Sequence, residues 1–381
     1  MASIRKRTWT SRGIEHSKWV CDYLDGAGTR RLKTFATKKE ADAWMIAALH
    51  EVKTGTHTAS SASITIAEAG DMWIKQCESD GLERSTILQR RQHTELHINP
   101  FLGRVKLADL TAPKVYVFAN ELRAAGRSPV MCKKIITNLK TILNFAQRRG
   151  LVAQNVALAV RVGSKADARH EEQGPLRAGV DFPSRVELKA MLDAATGRRR
   201  ALLITAMFTG MRASELRGLP WLNVDLDAGV IHVRQRADLW GTIGKPKSKA
   251  RARDIPLGPL VINTLRAWKM QCPAGELDLV FPNGNGNVEG QSNIINRFWS
   301  PLQVKLGITN EAGEARYNFH KLRHAAASLF IQHLGWSPTR LQTVMGHSSI
   351  NMTFDRYGHM FEDVEADRDA MAKIETAIVA A

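Results

Sequence analysis

The chain is poor in cysteine. Its four, Cys21, Cys77, Cys132 and Cys272, stand far apart with no C-x-x-C pair. That excludes a disulfide-stapled framework and fits a reducing cytoplasm. No stretch approaches the ~20 unbroken apolar residues that a bilayer crossing needs, so no membrane partner is expected. Met1 to Thr10 are basic but lack the apolar core of a secretory leader, so export is not expected either. There is no fixed-period repeat, and Gly284-Asn-Gly286 lacks the Lys and following helix of a phosphate-binding loop, which argues against ATP use.

Acidic residues are also in short supply, 37 against 54 Lys and Arg, for a net charge of +17. Such a field draws in polyanions and makes nucleic acid the leading partner. A basic but inert surface would carry the same charge, so the site chemistry must decide. The hydrophobic share of 44% and charged share of 24% are ordinary for folded protein, and 381 residues suffice for two or three compact units.

The pattern along the chain predicts three such units. Residues 1–58 open with hairpin strands, Lys18 to Tyr23 and Arg30 to Phe35, around the turn Asp25-Gly-Ala-Gly28, and Thr37 can cap a helix from Lys38. The basic start reads as an arm that contacts DNA. A Ser/Thr/Ala-rich linker, Thr56 to Ser63, precedes a helical region over 64–163. Its helices are expected at Ile66 to Ser79, Ser85 to His97, Ala112 to Ala125 and Ser128 to Arg149. The last carries Lys133, Lys134, Lys140, Arg148 and Arg149, each readable either as a solvated face or as a DNA contact. Residues 164–182 have no hydrophobic period and are predicted to be a linker. The third unit, 183–381, opens with helices at Ser184 to Ala195 and Arg199 to Phe208. It continues with strands at Gly229 to Gln235 and Arg253 to Leu257, then returns to helix, with an amphipathic tail helix from Glu362 to Ile378. The fold class is therefore mainly α and multidomain: a small sheet-and-helix domain, a helical domain, and an α+β domain with a small antiparallel sheet.

The third unit contains, in order, Thr209-Gly-Met-Arg-Ala-Ser-Glu-Leu216, Pro246-Lys-Ser-Lys249, His320-Lys-Leu-Arg-His324, Met345-Gly-His347 and Thr353-Phe-Asp-Arg-Tyr357. Each segment alone is weak. His320 and His324 could be read as a metal pair, but the H-E-x-x-H glutamate is missing and Lys321 and Arg323 oppose a cation. Arg can bind an anion in a fork and stays charged, while a tyrosine hydroxyl needs a base before it is a nucleophile.

Taken together these segments resemble the tyrosine recombinase, or phage integrase, family, whose pattern runs Arg, Lys, His-x-x-Arg, Gly-His, Tyr. The spacing agrees: 24 positions from Arg323 to His347 (347 − 323) and 10 from His347 to Tyr357 (357 − 347). The resemblance spans about Pro183 to Phe361. More weakly, the helical domain is similar to the family's core-binding domain and the first sixty residues to an arm-binding domain. Asn155-Val156 departs from the Asn-Pro found in many relatives.

What the resemblance implies is a site-specific recombinase that cuts and rejoins duplex DNA through a 3′-phosphotyrosine, integrating or excising a phage or mobile element. Arg212 and Arg323 would clamp the phosphate, Tyr357 attack, His320 take its proton and His347 donate to a phosphate oxygen. Lys247, rivalled by neighbouring Lys249, would protonate the leaving oxygen. Glu215 would orient or pack the site. No metal and no cofactor are implied. The expected partners are attachment-site DNA, further copies in a homotetramer on two sites, and candidate DNA-bending accessory proteins, all at the nucleoid of a bacterial cytoplasm. Tyr317 is the rival nucleophile, though Arg316-Tyr-Asn-Phe319 reads as a packed approach to a helix. A non-catalytic DNA-binding regulator and a relaxing type IB topoisomerase are the competing functions.

Overall fold

The computed structural model describes residues 2–26, 28–54, 62–161, 176–246 and 252–361. They fall into two compact units, Met1–Glu172 and Gln173–Ala381, each built on its own apolar clusters. Among the described residues no helix is long and apolar enough to cross a membrane.

The first unit begins with a three-stranded antiparallel sheet in the order β1 (Ser3–Ser11), β2 (Ile14–Leu24), β3 (Arg30–Phe35). The basic start predicted as an arm is thus an edge strand, paired with β2 from Ser3 opposite Asp22 to Ser11 opposite Ile14. It was missed because it offers no apolar alternation: all of its residues but Ile4 are exposed. Left-handed Arg12 (φ 53°) and Gly13 (φ 78°) make the tight turn that suits a twisted hairpin. Helix α1 (Lys38–Lys53) starts where Thr37 and Glu40 cap each other's backbone, and its Ala41 and Met45 close over Cys21 and Tyr23 of the sheet.

A second cluster in this unit joins α2 (Ile66–Ser79), α3 (Arg84–His93), α4 (Asn99–Leu102), α5 (Ala112–Ala124) and α6 (Pro129–Arg148). Helix α6 holds it together: Cys132, Ile135, Ile136, Leu139, Ile142, Leu143 and Ala146 recur at helical spacing and are buried. Between α3 and α4 the helix runs on through a π-turn, Thr94–Ile98. Pro100 has no N–H for the usual bond, and the ladder widens just ahead of it. On the basic face of α6, Lys140 is tied to the Val160 carbonyl (2.8 Å) and Arg149 to the Gln76 side chain, while Lys133 and Lys134 are exposed. Asn155 is buried in the turn after α6, where its amide bonds to the Lys140 carbonyl (2.9 Å) and the Ala157 N–H (3.0 Å), so the turn is held by side-chain hydrogen bonds without the proline.

The second unit begins earlier than the sequence suggested. Leu176 and Phe182, read as linker, are buried in its core, anchored by an Arg177–Phe182 turn that has no hydrophobic period to reveal it. Helices α7 (Arg185–Ala194) and α8 (Gly197–Thr209) lead to the short α9 (Ala213–Arg217). A small antiparallel sheet follows, β4 (Val224–Asp225), β5 (Val230–Val233) and β8 (Arg253–Pro256) in spatial order, with β6 (Arg236–Ala237) paired to β7 (Ile243–Gly244). After α10 (Pro259–Lys269), α11 (Gln291–Ile294) and α12 (Ser300–Lys305) come the three helices that build the site: α13 (Lys321–Leu334), α14 (Pro338–Met345) and α15 (Ile350–Tyr357).

Candidate active site

The ends of α8 and α14 that meet at the site are both glycines in the left-handed conformation, Gly210 and Gly346, each with φ of 62°. Helix ends leave carbonyls without helical partners, at the negative end of the dipole, where cations are favoured. Arg323, in the first turn of α13 and only 4% exposed, donates from Nη1 to the Gly210 carbonyl (2.6 Å) and from Nη2 to that of Met345. Arg212, two residues past Gly210, donates from Nη2 to the Gly346 carbonyl (2.9 Å). Two arginines far apart in sequence therefore grip one helix end. Burial, followed by Arg212, lowers the Arg323 pKa to about 9, so it remains a cation at neutral pH.

The buried Glu215 fixes Arg212 from below. Its carboxylate accepts the Arg212 backbone N–H and Nη1, both at 2.9 Å, and also Nη1 and Nη2 of Arg253, at 3.1 and 2.9 Å. Burial pushes this carboxyl up, but Arg253, Arg212 and the backbone bond outweigh it and hold it at about 2. Arg253, 5% exposed, also donates from Nε to the Val344 carbonyl. Sequence reasoning missed Arg253 as part of the site. A signal existed: in β8 it alternates inward with buried Ile255 while Asp254 points out.

Gly346 is packed against this pair. A Cβ there would stand 3.1 Å from Arg253 Cδ and Nη1, on a backbone that side chains rarely adopt. Gly346→Ala is therefore expected to destabilise the unit by about 2 kcal/mol, the left-handed cost plus displacement of Arg253. Thermal melting checks this, and an unchanged midpoint would contradict it.

Tyr357 ends α15 and is 1% exposed. Its ring stacks with that of His347, centroids 6.4 Å apart and planes within 6°. His347 Nδ1 lies 2.9 Å from the hydroxyl of Thr353, a fully buried residue one turn before Tyr357 on the same helix face. The Tyr357 hydroxyl lies 2.7 Å from Nδ1 of His324, not against the predicted base His320. His320 stands at the start of α13 with its ring edge-on to His324, centroids 5.5 Å apart. Burial raises the tyrosine to about 12, partly offset by Arg323 and Arg356. The structure thus assembles Arg212, His320, Arg323, His347 and Tyr357, and adds Arg253, His324 and Thr353. Lys247 and its rival Lys249 lie outside the described residues, between β7 and β8. Tyr317 is buried elsewhere in the core, its hydroxyl 3.3 Å from both Glu187 oxygens.

All three site histidines are held below the ordinary imidazole range. Burial is the first cause in each, with site cations next for His347, Arg323 and Arg212 for His320, and neighbouring His320 and Lys321 for His324. The side chain of His320 reaches the surface, so solvent screens part of its shift. A histidine kept neutral in the fold takes up a proton on unfolding once the pH drops below its unfolded pKa near 6.5. Stability is therefore expected to be full above about pH 7 and to fall steadily towards pH 4. Denaturant unfolding from pH 8 to 4.5 tests this; a flat profile across pH 6.5 to 5 would refute it.

Two family models match the chain: the phage integrase family over residues 184–363, and the phage integrase N-terminal SAM-like domain over 65–123. It is 25% identical over 350 residues to a tyrosine recombinase XerC-like protein of Caldanaerobacter subterraneus, covering 85% of this chain and 86% of the relative. It is 32% identical over 255 residues to the tyrosine recombinase XerC of Xylella fastidiosa strain 9a5c, covering 66% and 77%. Among solved structures, its fold is similar to that of the Tn1549 transposon integrase in complex with a circular intermediate DNA, with a TM-score of 0.65 at 18% identity, covering 82% of this chain and all of that one. It is also similar to a lambda integrase tetramer bound to a Holliday junction, with a TM-score of 0.58 at 17% identity, covering 87% and 93%.

Proposed function

The chain belongs to the phage integrase family of tyrosine recombinases and is a site-specific DNA recombinase, and from that premise we propose how its residues carry the reaction. Arg212 and Arg323 bind the non-bridging oxygens of the scissile phosphate. The observation that carries this reading is their convergence on the carbonyls of residues 345 and 346, beside the stacked His347 and Tyr357. Glu215 and the helix-end carbonyls accept some of the guanidinium N–H groups and so fix both arginines before DNA arrives. Such preorganisation is usually the largest contribution to catalysis of charge-forming steps.

Tyr357 Oη attacks phosphorus, the bond to the 5′ oxygen breaks, and the DNA is left as a 3′-phosphotyrosine that a new 5′-hydroxyl can reverse. No ATP is needed, because the ester keeps the energy of the broken bond. With Nδ1 accepting from Thr353, His347 presents Nε2–H to a phosphate oxygen. Lys247 supplies the proton to the leaving oxygen from the stretch between β7 and β8.

The sheet with its basic edge strand and the α6 face bind DNA ahead of the catalytic unit, and four copies act on two sites, with DNA-bending proteins assisting. Residues 362–378, expected from the sequence to form an amphipathic helix, lie outside the described residues and are proposed to dock on the same or a neighbouring subunit. The element served is a phage or other mobile DNA, at the nucleoid of a bacterial cytoplasm.

The test uses a plasmid with two copies of the attachment site, recovered by selection from random-sequence DNA. Deleted or inverted recombinants, formed without metal or ATP, are the expected products. Relaxation without recombinants would instead favour a topoisomerase, and binding without cleavage a regulator.

A further inference from the structure

The nucleophile's own hydrogen bond assigns a residue that neither the family pattern nor the expected roles include. Resting on the recombinase reading above, we propose that His324, through Nδ1, accepts the Tyr357 hydroxyl proton as that oxygen attacks phosphorus.

Geometry is the first support. Nδ1 and Oη are 2.7 Å apart, within the range for direct proton transfer, and the two rings are tilted with centroids at 5.9 Å. The tyrosine is almost sealed from solvent, which leaves bulk water poorly placed to take the proton. The imidazole is held in place because α13 is anchored by buried Leu322, Arg323, Ala325 and Ala326 on either side of it in sequence. His320, one turn earlier, meets His324 edge-on, ring centroids 5.5 Å apart.

A base must also be unprotonated before the reaction. The groups around His324 are His320, Lys321 and Arg323 at the start of its own helix, Arg356 and Tyr357 on α15, and His347 just after α14. Its burial and these mostly cationic neighbours favour the neutral ring, whose Nδ1 lone pair faces the phenol while the hydrogen sits on Nε2. In the step itself the Oη–H bond breaks, the proton moves to Nδ1, the Oη–P bond forms and the P–O5′ bond opens. When a 5′-hydroxyl attacks the phosphotyrosine, the same nitrogen returns the proton to the departing Oη. Free phenol at about 12 is far too weak an acid to give up its proton beforehand. Transfer therefore coincides with attack, when bonding to phosphorus makes the oxygen far more acidic.

The experiment reads covalent adduct formation on a duplex with a 5′-bridging phosphorothiolate, whose leaving thiolate needs no acid, so that the nucleophile's side is observed alone. His324→Asn keeps an acceptor near the Nδ1 position but cannot carry a proton; His324→Phe keeps a ring and loses both. Both variants are expected to bind DNA as the parent does and to form adduct roughly 10² to 10⁴ times more slowly, the usual worth of a general base. Replacing Tyr357 by 3-fluorotyrosine, a more acidic phenol, should recover part of the rate in His324→Asn. Parental rate in His324→Asn would make the residue a positioning group and overturn the proposal. So would loss of DNA binding in both variants, or a large loss confined to His320→Asn. Adduct formed by Tyr357→Phe, run alongside, would instead overturn the recombinase reading of the site.

Discussion

Arg323→Ala should reduce strand cleavage at least 10²- to 10³-fold while DNA binding weakens far less. A preorganised donor aimed at developing charge is worth about 3 to 4 kcal/mol to the transition state. Affinity for duplex DNA rests mainly on many dispersed phosphate contacts, of which this is one. Arg323 also satisfies two helix-end carbonyls, so its removal leaves buried acceptors unpaired at about 1 to 3 kcal/mol each. The variant is therefore expected to melt lower as well as to cut poorly. Arg323→Lys restores the charge but not the fork, and should rescue stability better than rate. Arg212→Ala separates the two effects, because its side chain is more exposed (19%) and its loss should cost rate with a smaller stability penalty. Single-turnover cleavage at saturating DNA, with a melting curve for each variant, checks the set. Near-parental cleavage by Arg323→Ala would remove the phosphate clamp from the account.

Glu215→Gln is the second large effect, and it falls on the fold first. The carboxylate is the counterion of Arg253, whose side chain is 2% exposed, and it orients Arg212 as well. Breaking a buried pair by neutralising one member costs about 3 to 5 kcal/mol, because the other charge stays buried without compensation. For a unit of this size that lowers the melting point by roughly 10 °C. The same logic predicts recovery when both charges go: Glu215→Gln with Arg253→Met should be more stable than Glu215→Gln alone. Cleavage should stay low in both, since Arg212 has lost its anchor. Glu215 is depressed in the folded state, so its contribution is present above pH 4.5 and lost as the pH falls towards about 2. The acid sensitivity from the histidines begins higher, near pH 6.5, which lets the two be told apart. A Glu215→Gln protein that melts with the parent would show that Arg253 finds another partner.

The sequence made some of this legible and hid the rest for identifiable reasons. Helices α2, α5 and α6 were readable to within a residue or two because their buried faces repeat at helical spacing and Thr or Ser residues precede them. Strand β1 was not, since a sheet edge exposed on both faces carries no alternation. Nor were Leu176 and Phe182, two isolated apolar residues in a polar stretch that become core only through tertiary packing. In the site, Arg212, Arg323, His347 and Tyr357 stood out because each lies in a short motif at a fixed interval. Arg253 looked like an ordinary strand residue, and its role depends on a carboxylate 38 positions away, a pairing that spacing cannot express. His324 was weighed only as half of a metal pair, and its contact with Tyr357 spans 33 positions.

Tyr357 is the residue proposed to form the covalent bond to DNA. The most direct measurement digests the trapped protein–DNA adduct with protease and maps the nucleotide-bearing peptide by mass spectrometry, comparing the parent with Tyr357→Phe and Tyr317→Phe. A 3′-linked nucleotide is expected on Tyr357, retained in Tyr317→Phe and absent from Tyr357→Phe. A nucleotide on any other residue, or an adduct that survives Tyr357→Phe, would contradict it.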